Sequence, residues 1–159
     1  MRRETSALIA AAAVLGAARF GARYNPAPGQ PRTALWYASL DKPSFTPPGA
    51  VIGAAWTGLD LLLCVAGYRL LTSPPSSQRQ TALGLWGLSV SGLALWPYLF
   101  FGRRRPGESL AALGAMFTAA CGAIVAAARV DRLAAAAIAP LVGWLGFAGL
   151  LNEEIWRRN

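Results

Sequence analysis

Arg132-Leu133-Ala134-Ala135-Ala136-Ala137-Ile138-Ala139-Pro140-Leu141-Val142-Gly143-Trp144-Leu145-Gly146-Phe147-Ala148-Gly149-Leu150-Leu151-Asn152-Glu153 holds 20 consecutive residues without a charge between its terminal Arg and Glu. A helix rises about 1.5 Å per residue, so about 20 apolar residues cross the roughly 30 Å hydrocarbon core of a bilayer. The same gap recurs along the chain. Arg79 and Arg103 bracket 23 uncharged residues, Glu108 and Arg129 bracket 20, and Lys42 and Arg69 bracket 26 of which only Asp60 is charged. A shorter uncharged stretch runs from Thr5 to Ala18. These spacings predict an all-α integral membrane bundle of five transmembrane helices, at about 5–23, 49–71, 79–101, 107–128 and 133–157, in one domain over residues 1–159.

The bulk composition agrees. Of the 159 residues, 55% are hydrophobic and only 14% charged, and the mean hydropathy is +0.40. A soluble domain of this size has too much surface to hide that apolar excess, and a disordered chain would lack it. The net charge of +8 would suit nucleic acid if the cations shared a face, but they sit in loops and at helix ends, so no nucleic-acid surface is expected. Cys64 and Cys121 each stand alone in an apolar run and read as small hydrophobes rather than a disulfide or metal pair. The chain has no His, which excludes His-based zinc, haem and triad chemistry. No metal site and no obligatory cofactor are expected.

Arg2-Arg3, the apolar stretch from Ala7 to Leu15 and the small residues Gly16-Ala17-Ala18 have the order of a cleavable signal peptide. The alternative is a retained first helix reaching about Arg23, with Arg19 and Arg23 extending to the interface. Residues 24–48 form the longest connection. Asn25 to Pro31 is proline-stiffened, Thr33 to Leu40 suits one or two helical turns, and Pro43, Pro47 and Pro48 keep the chain extended up to the second span. Thr72-Ser73-Pro74-Pro75-Ser76-Ser77 ends that span. The later connections are short, which makes the third, fourth and fifth spans antiparallel neighbours. Abundant Gly and Ala permit close helix approach in lipid.

With five spans, one side of the membrane carries Arg2, Arg3, Arg69, Arg79, Arg129 and Arg132. The other carries eight cations, Arg23, Arg32, Lys42, Arg103, Arg104, Arg105, Arg157 and Arg158, or nine with Arg19. The positive-inside rule places the C-terminus and the long first connection in the cytoplasm, with the inner membrane as the expected location.

Helical spacing groups Ile52, Trp56 and Asp60 on the second span, Trp86, Leu93, Trp96 and Phe100 on the third, and Trp144, Phe147, Ala148, Leu151, Asn152 and Ile155 on the fifth. Convergence of these stripes would make an aromatic pocket for a flat hydrophobic ligand, with indole N–H groups as sparse polar anchors. Trp86 and Trp156 are expected in the interfacial belt, and Phe100 and Phe101 beside Gly102-Arg103 as interface anchors. Asp60 is the single acid deep in a span. At about 2.5 to 3.5 kcal/mol for a carboxylate at a helix centre, it should face the interior, hydrogen-bonded or protonated, as a structural group, a ligand anchor or a proton site. Asn152 suits a helix–helix hydrogen bond, and Arg103-Arg104-Arg105 a headgroup-facing anchor for membrane lipid.

Three ordered motifs resemble the tryptophan-rich sensory protein and translocator protein (TspO/MBR) family. Trp36-Tyr37-Ala38-Ser39-Leu40-Asp41-Lys42-Pro43-Ser44-Phe45-Thr46-Pro47-Pro48 is similar to its loop signature, Trp96 to Gly102 to its third-helix ending, and Pro140 to Asn159 to its last helix. The resemblance implies five retained membrane helices and a homodimer. It also implies a pocket under the first connection, acting as a lid, that binds porphyrins, other tetrapyrroles or similar lipophiles in a regulatory or stress role in tetrapyrrole metabolism. By motif position it assigns Trp56, Trp96, Trp144, Phe147, Ala148 and Leu151 to the pocket and Trp36, Phe45, Pro47 and Pro48 to its cover. Together with Ile52, Asp60 and Phe100 these are the candidate ligand contacts. Phe45, Asp60, Leu93, Leu141 and Glu153 depart from the family pattern, which implies altered ligand contacts and argues against sterol recognition near Arg157. Two alternatives follow: light-dependent porphyrin degradation with Trp56 and Trp144 as the catalytic candidates, and proton-coupled transport through Asp60.

Overall fold

The computed structural model describes residues 2–159. It contains α1 (Arg3–Ala22), α2 (Pro31–Ser39), α3 (Gly49–Thr72), α4 (Ser77–Pro97), α5 (Pro106–Ala128) and α6 (Arg132–Arg158), with no strand among the described residues. All but α2 are long and apolar enough to cross a bilayer. The ends lie close to those read from the charge gaps, because a charged or proline-rich segment ends each run. Ser76 begins α4 by accepting from the Arg79 amide at 3.1 Å, and Asp131 begins α6 by accepting from the Leu133 and Ala134 amides at 2.9 and 3.0 Å. Arg79 turns back to donate from Nε and Nη2 to the Leu70 and Leu71 carbonyls at 2.7 and 2.9 Å, occupying acceptors that the end of α3 would otherwise leave open.

The long helices form a ring. α1 packs against α3 and α4, α5 against α4 and α6, and α6 closes onto α3. The α4–α5 and α5–α6 pairs are antiparallel neighbours, as their short connections require. Side chains in this ring are matched to glycines. A Cβ on Gly67 would collide with the Trp86 indole, and one on Gly92 would lie 2.5 Å from the Met116 sulfur. Pro97 has no amide to give to the Leu93 carbonyl one turn earlier, and that carbonyl lies against Gly21 of α1, where any Cβ would strike it. Beyond Pro97 the chain makes one π-helical turn, Tyr98–Gly102, closed by the Arg103 amide donating to the Tyr98 carbonyl at 2.8 Å.

Three expectations are corrected. Trp86 is not an interfacial residue: it is 6% exposed and donates from Nε1 to the Leu63 carbonyl of α3 at 3.0 Å. Phe100 and Phe101 are not interface anchors either, being 1% and 9% exposed in the core. The π-helical turn carries both rings to α2. Trp156, by contrast, is exposed. Cys64 and Cys121 are half-buried and unpaired, and residues 43–46 make a turn, with the Thr46 amide donating to the Pro43 carbonyl at 3.0 Å, rather than a fully extended strand.

The buried core is divided. A large apolar cluster fills the half of the bundle near the start of α1, with Val14, Leu63, Leu70, Ala120, Ile138 and Leu145 among its members. A smaller cluster of Phe100, Phe101 and Ile155 lies at the other end, beneath α2.

Candidate functional site

Between these two clusters few residues are buried on one side. In α3 the buried residues begin at Leu59, and none of residues 49–58 is buried. In α6 the residues between Leu145 and Asn152 are half-buried or exposed. A sparsely buried stretch between two facing helices is where a bundle can admit a ligand.

The aromatic residues of that stretch meet. The Trp56 and Trp144 rings lie edge to face with centroids 6.1 Å apart, and Trp144 and Phe147 are tilted at 5.6 Å. Phe45, from the first connection, reaches Phe147 at 6.3 Å while remaining 49% exposed. Edge-to-face pairing places the positive rim of one ring on the negative face of another, a contact worth about 0.5–1.5 kcal/mol beyond area burial. Ile52, Ala148 and Leu151 are half-buried on the same two helices. Four residues from the first connection, α3 and α6 thus form one aromatic group.

A second group is organised by Asn152. Its Oδ1 accepts from Trp96 Nε1 and Ser109 Oγ, each at 2.9 Å, and its Nδ2 donates to the Pro106 carbonyl at 2.8 Å. One buried amide therefore joins α4, α5 and α6. Trp96, so oriented, stacks on Phe100 at 4.9 Å, and Trp36 of α2 meets Phe100 edge to face at 5.7 Å. Trp36 and Phe100 belong to this group and not to the Trp56–Trp144 group. Ser109 and Pro106 were not among the sequence candidates; the available signal was Asn152 itself, since a polar amide in an apolar run requires partners.

The first connection is fastened at the C-terminal end of its helical part. Lys42 caps α2, donating from Nζ to the Tyr37 and Leu40 carbonyls at 2.7 and 3.0 Å, with its ammonium 4.8 Å from the Tyr37 ring centroid. Burial pushes the Tyr37 phenol above its ordinary value. Asn159 then grips the neighbouring backbone: its Oδ1 accepts from the Asp41 amide at 2.9 Å and its Nδ2 donates to the Asp41 carbonyl at 3.0 Å. Pro47 is half-buried and Pro48 exposed at the start of α3. Arg104, with φ of 55°, places its guanidinium 5.6 Å from the Trp36 centroid, so cations border the α2 end of the bundle.

Two polar atoms of the aromatic stretch are buried without a hydrogen-bond partner, Asp60 Oδ1 and Trp144 Nε1. An acceptor and a donor are therefore open on adjacent helices. Two open surface cavities lie elsewhere. One of about 380 Å³ lies among Arg3, Tyr68, Arg69 and Asp131, and one of about 540 Å³ is an open groove along Pro26, Pro31 and Leu35. Between α3 and α6 the rings touch one another, so any guest there would have to part them.

The fold and these residues define a class: a multi-pass integral membrane protein of five helices, with aromatic side chains of α3, α4 and α6 gathered beneath a long first connection. The sequence matches the TspO/MBR family over residues 7–157, and the chain belongs to that family. It is 37% identical over 127 residues to the human translocator protein, covering 78% of this chain and 75% of that one. It is 32% identical over 124 residues to the tryptophan-rich sensory protein of Cereibacter sphaeroides, covering 78% and 77%. With protein CrtK of Rhodobacter capsulatus the identity is 31% over 126 residues, covering 78% of each.

Proposed function

We propose that this protein is a membrane receptor or carrier that binds a porphyrin or similar flat lipophile between α3, α4 and α6 under the first connection, with a regulatory or stress role in tetrapyrrole metabolism. The observation that supports it is the half-buried group of Trp56, Trp144, Phe147 and Phe45, whose ring faces can pack on a planar guest once parted. In this proposal the first connection acts as a lid, the C-terminus lies in the cytoplasm, the inner membrane is its home, and two copies form a homodimer.

Titration of the purified protein with protoporphyrin in the dark tests the binding. Trp fluorescence should be quenched saturably at micromolar ligand, and Trp144→Ala should weaken that affinity about tenfold, as loss of a stacking ring does. Absence of quenching removes the proposal. The adjacency of the readily oxidised Trp56 and Trp144 rings supports a second activity, light-dependent porphyrin degradation. Illumination of the same complex tests it, since bleaching should then be protein-dependent and lost in Trp56→Phe and Trp144→Phe.

A further inference from the structure

Seven residues of the chain are acidic, and six of them stand at helix ends or in the first connection. Asp60 is the exception. It lies eleven residues into α3, about 16 Å along the axis from the start of that helix, near the middle of a bilayer. It follows Trp56 by one turn and precedes Gly67, the residue against Trp86, by two, so its stripe of α3 faces the interior. No Lys or Arg occupies the interior of a neighbouring helix. The nearest basic residue on α3, Arg69, is already paired with Asp131 at 2.8 Å. Asp60 Oδ1 is left without a donor from the protein. The cations of this half of the molecule, Lys42 and Arg104 among them, border the α2 end instead.

From this distribution, and resting on the ligand-binding function proposed above, we infer that Asp60 sets the polarity of the ligand: it accepts from an N–H or ammonium group at the deep end of the guest and excludes a carboxylate from that position. A donor completes the open acceptor, and an ammonium also balances a carboxylate charge that no protein cation reaches. A ligand carboxylate at the same depth would place two like groups in a poorly solvated space, where both cannot remain ionised. Acidic groups of a guest, where it has them, belong at the cationic α2 end.

The test uses three flat probes that differ in one substituent, 1-pyrenemethylamine, 1-pyrenemethanol and 1-pyrenecarboxylate, read by energy transfer from Trp to pyrene in the full-length protein in neutral nanodiscs. Protoporphyrin quenching is measured in parallel. The amine-to-carboxylate affinity ratio should be at least about tenfold higher in the native protein than in Asp60→Asn, and Asp60→Glu should retain most of it. Asp60→Ser serves as a second neutral variant should the Asn protein not fold. Equal ratios in the native and neutral variants, or no pyrene uptake by a protein that binds protoporphyrin, overturn the assignment of Asp60 and leave the proposed function standing. Failure of protoporphyrin and all three pyrenes to bind overturns both.

Discussion

Asn152 shows how much one side chain can organise inside a membrane protein. A bilayer core supplies no water to polar groups, and here the Trp96 indole, the Ser109 hydroxyl and the Pro106 carbonyl all meet a single amide, the hydroxyl also reaching the Pro106 carbonyl at 2.8 Å. Replacing it by Ala leaves the Trp96 indole without its acceptor, while the Ser109 hydroxyl and the Pro106 carbonyl keep each other at 2.8 Å. An unpaired buried group costs about 1–3 kcal/mol in water-soluble proteins, but measured membrane pairs average nearer about 0.6 kcal/mol, so Asn152→Ala should lose about 1 kcal/mol. Thermal unfolding in detergent measures the loss, and an unchanged midpoint would contradict it. The same residue marks the limit of what sequence can show. That Asn152 needed partners was readable from its place in an apolar run; which partners it found was not, because Ser109 is 43 positions away.

At the scale of elements, the five spans were legible because a charge gap is a property of a whole helix and tolerates local error. Trp86 was misread because its environment is made by Gly67, on a different helix, which leaves room for the indole to reach the Leu63 carbonyl. Phe100 and Phe101 were misread because Pro97 and the π-helical turn reorient them toward α2, where a regular helix beside an arginine run would suggest the interface. The candidate site was half legible. Helical spacing grouped Trp56 with Asp60 and Trp144 with Phe147, but only the fold separates Trp36 and Phe100 from them.

Elements are also joined at their ends. Arg69 of α3 donates from Nε to Asp131 Oδ1 at 3.0 Å, and its Nη2 pairs with Oδ2 at 2.8 Å, tying α3 to the first turn of α6. The guanidinium hydrogen bond, supported by the Ala134 and Leu133 amides, holds the Asp131 carboxyl below the usual carboxylate range against the opposing effect of burial. A carboxyl lowered on folding contributes stability that is fully present above its unfolded value, about pH 4, and is lost as pH falls through the lower folded value. Asp131→Asn keeps the capping oxygen and removes the charge. Its unfolding midpoint should therefore lie below that of the native protein at neutral pH, with the gap closing as the pH drops below about 4. A gap independent of pH would show that the ion pair adds nothing to the cap.

For the molecule as a whole, charge is segregated by membrane side. The connection holding α2, the turn after α4 and the end of α6 together carry eight cations, against six at the start of α1, the α3–α4 turn and the α5–α6 turn. The α5–α6 turn and the α3 terminus meet through Arg69 and Asp131, while the C-terminal Asn159 meets Asp41, so the two sets occupy opposite ends of the bundle. Basic residues in short loops resist translocation, which is the basis of the orientation proposed above, with the richer side in the cytoplasm. The margin rests on Arg103, Arg104 and Arg105, whose replacement by Gln would remove it, leaving five cations against six, or six against six with Arg19 of the last turn of α1. A fluorescent protein fused after Asn159 should be fluorescent and a periplasm-dependent phosphatase at the same position inactive. In the triple Gln variant the two signals should move toward each other as a mixed population forms. Phosphatase activity from the native fusion would place the C-terminus, and with it the first connection, on the far side of the membrane.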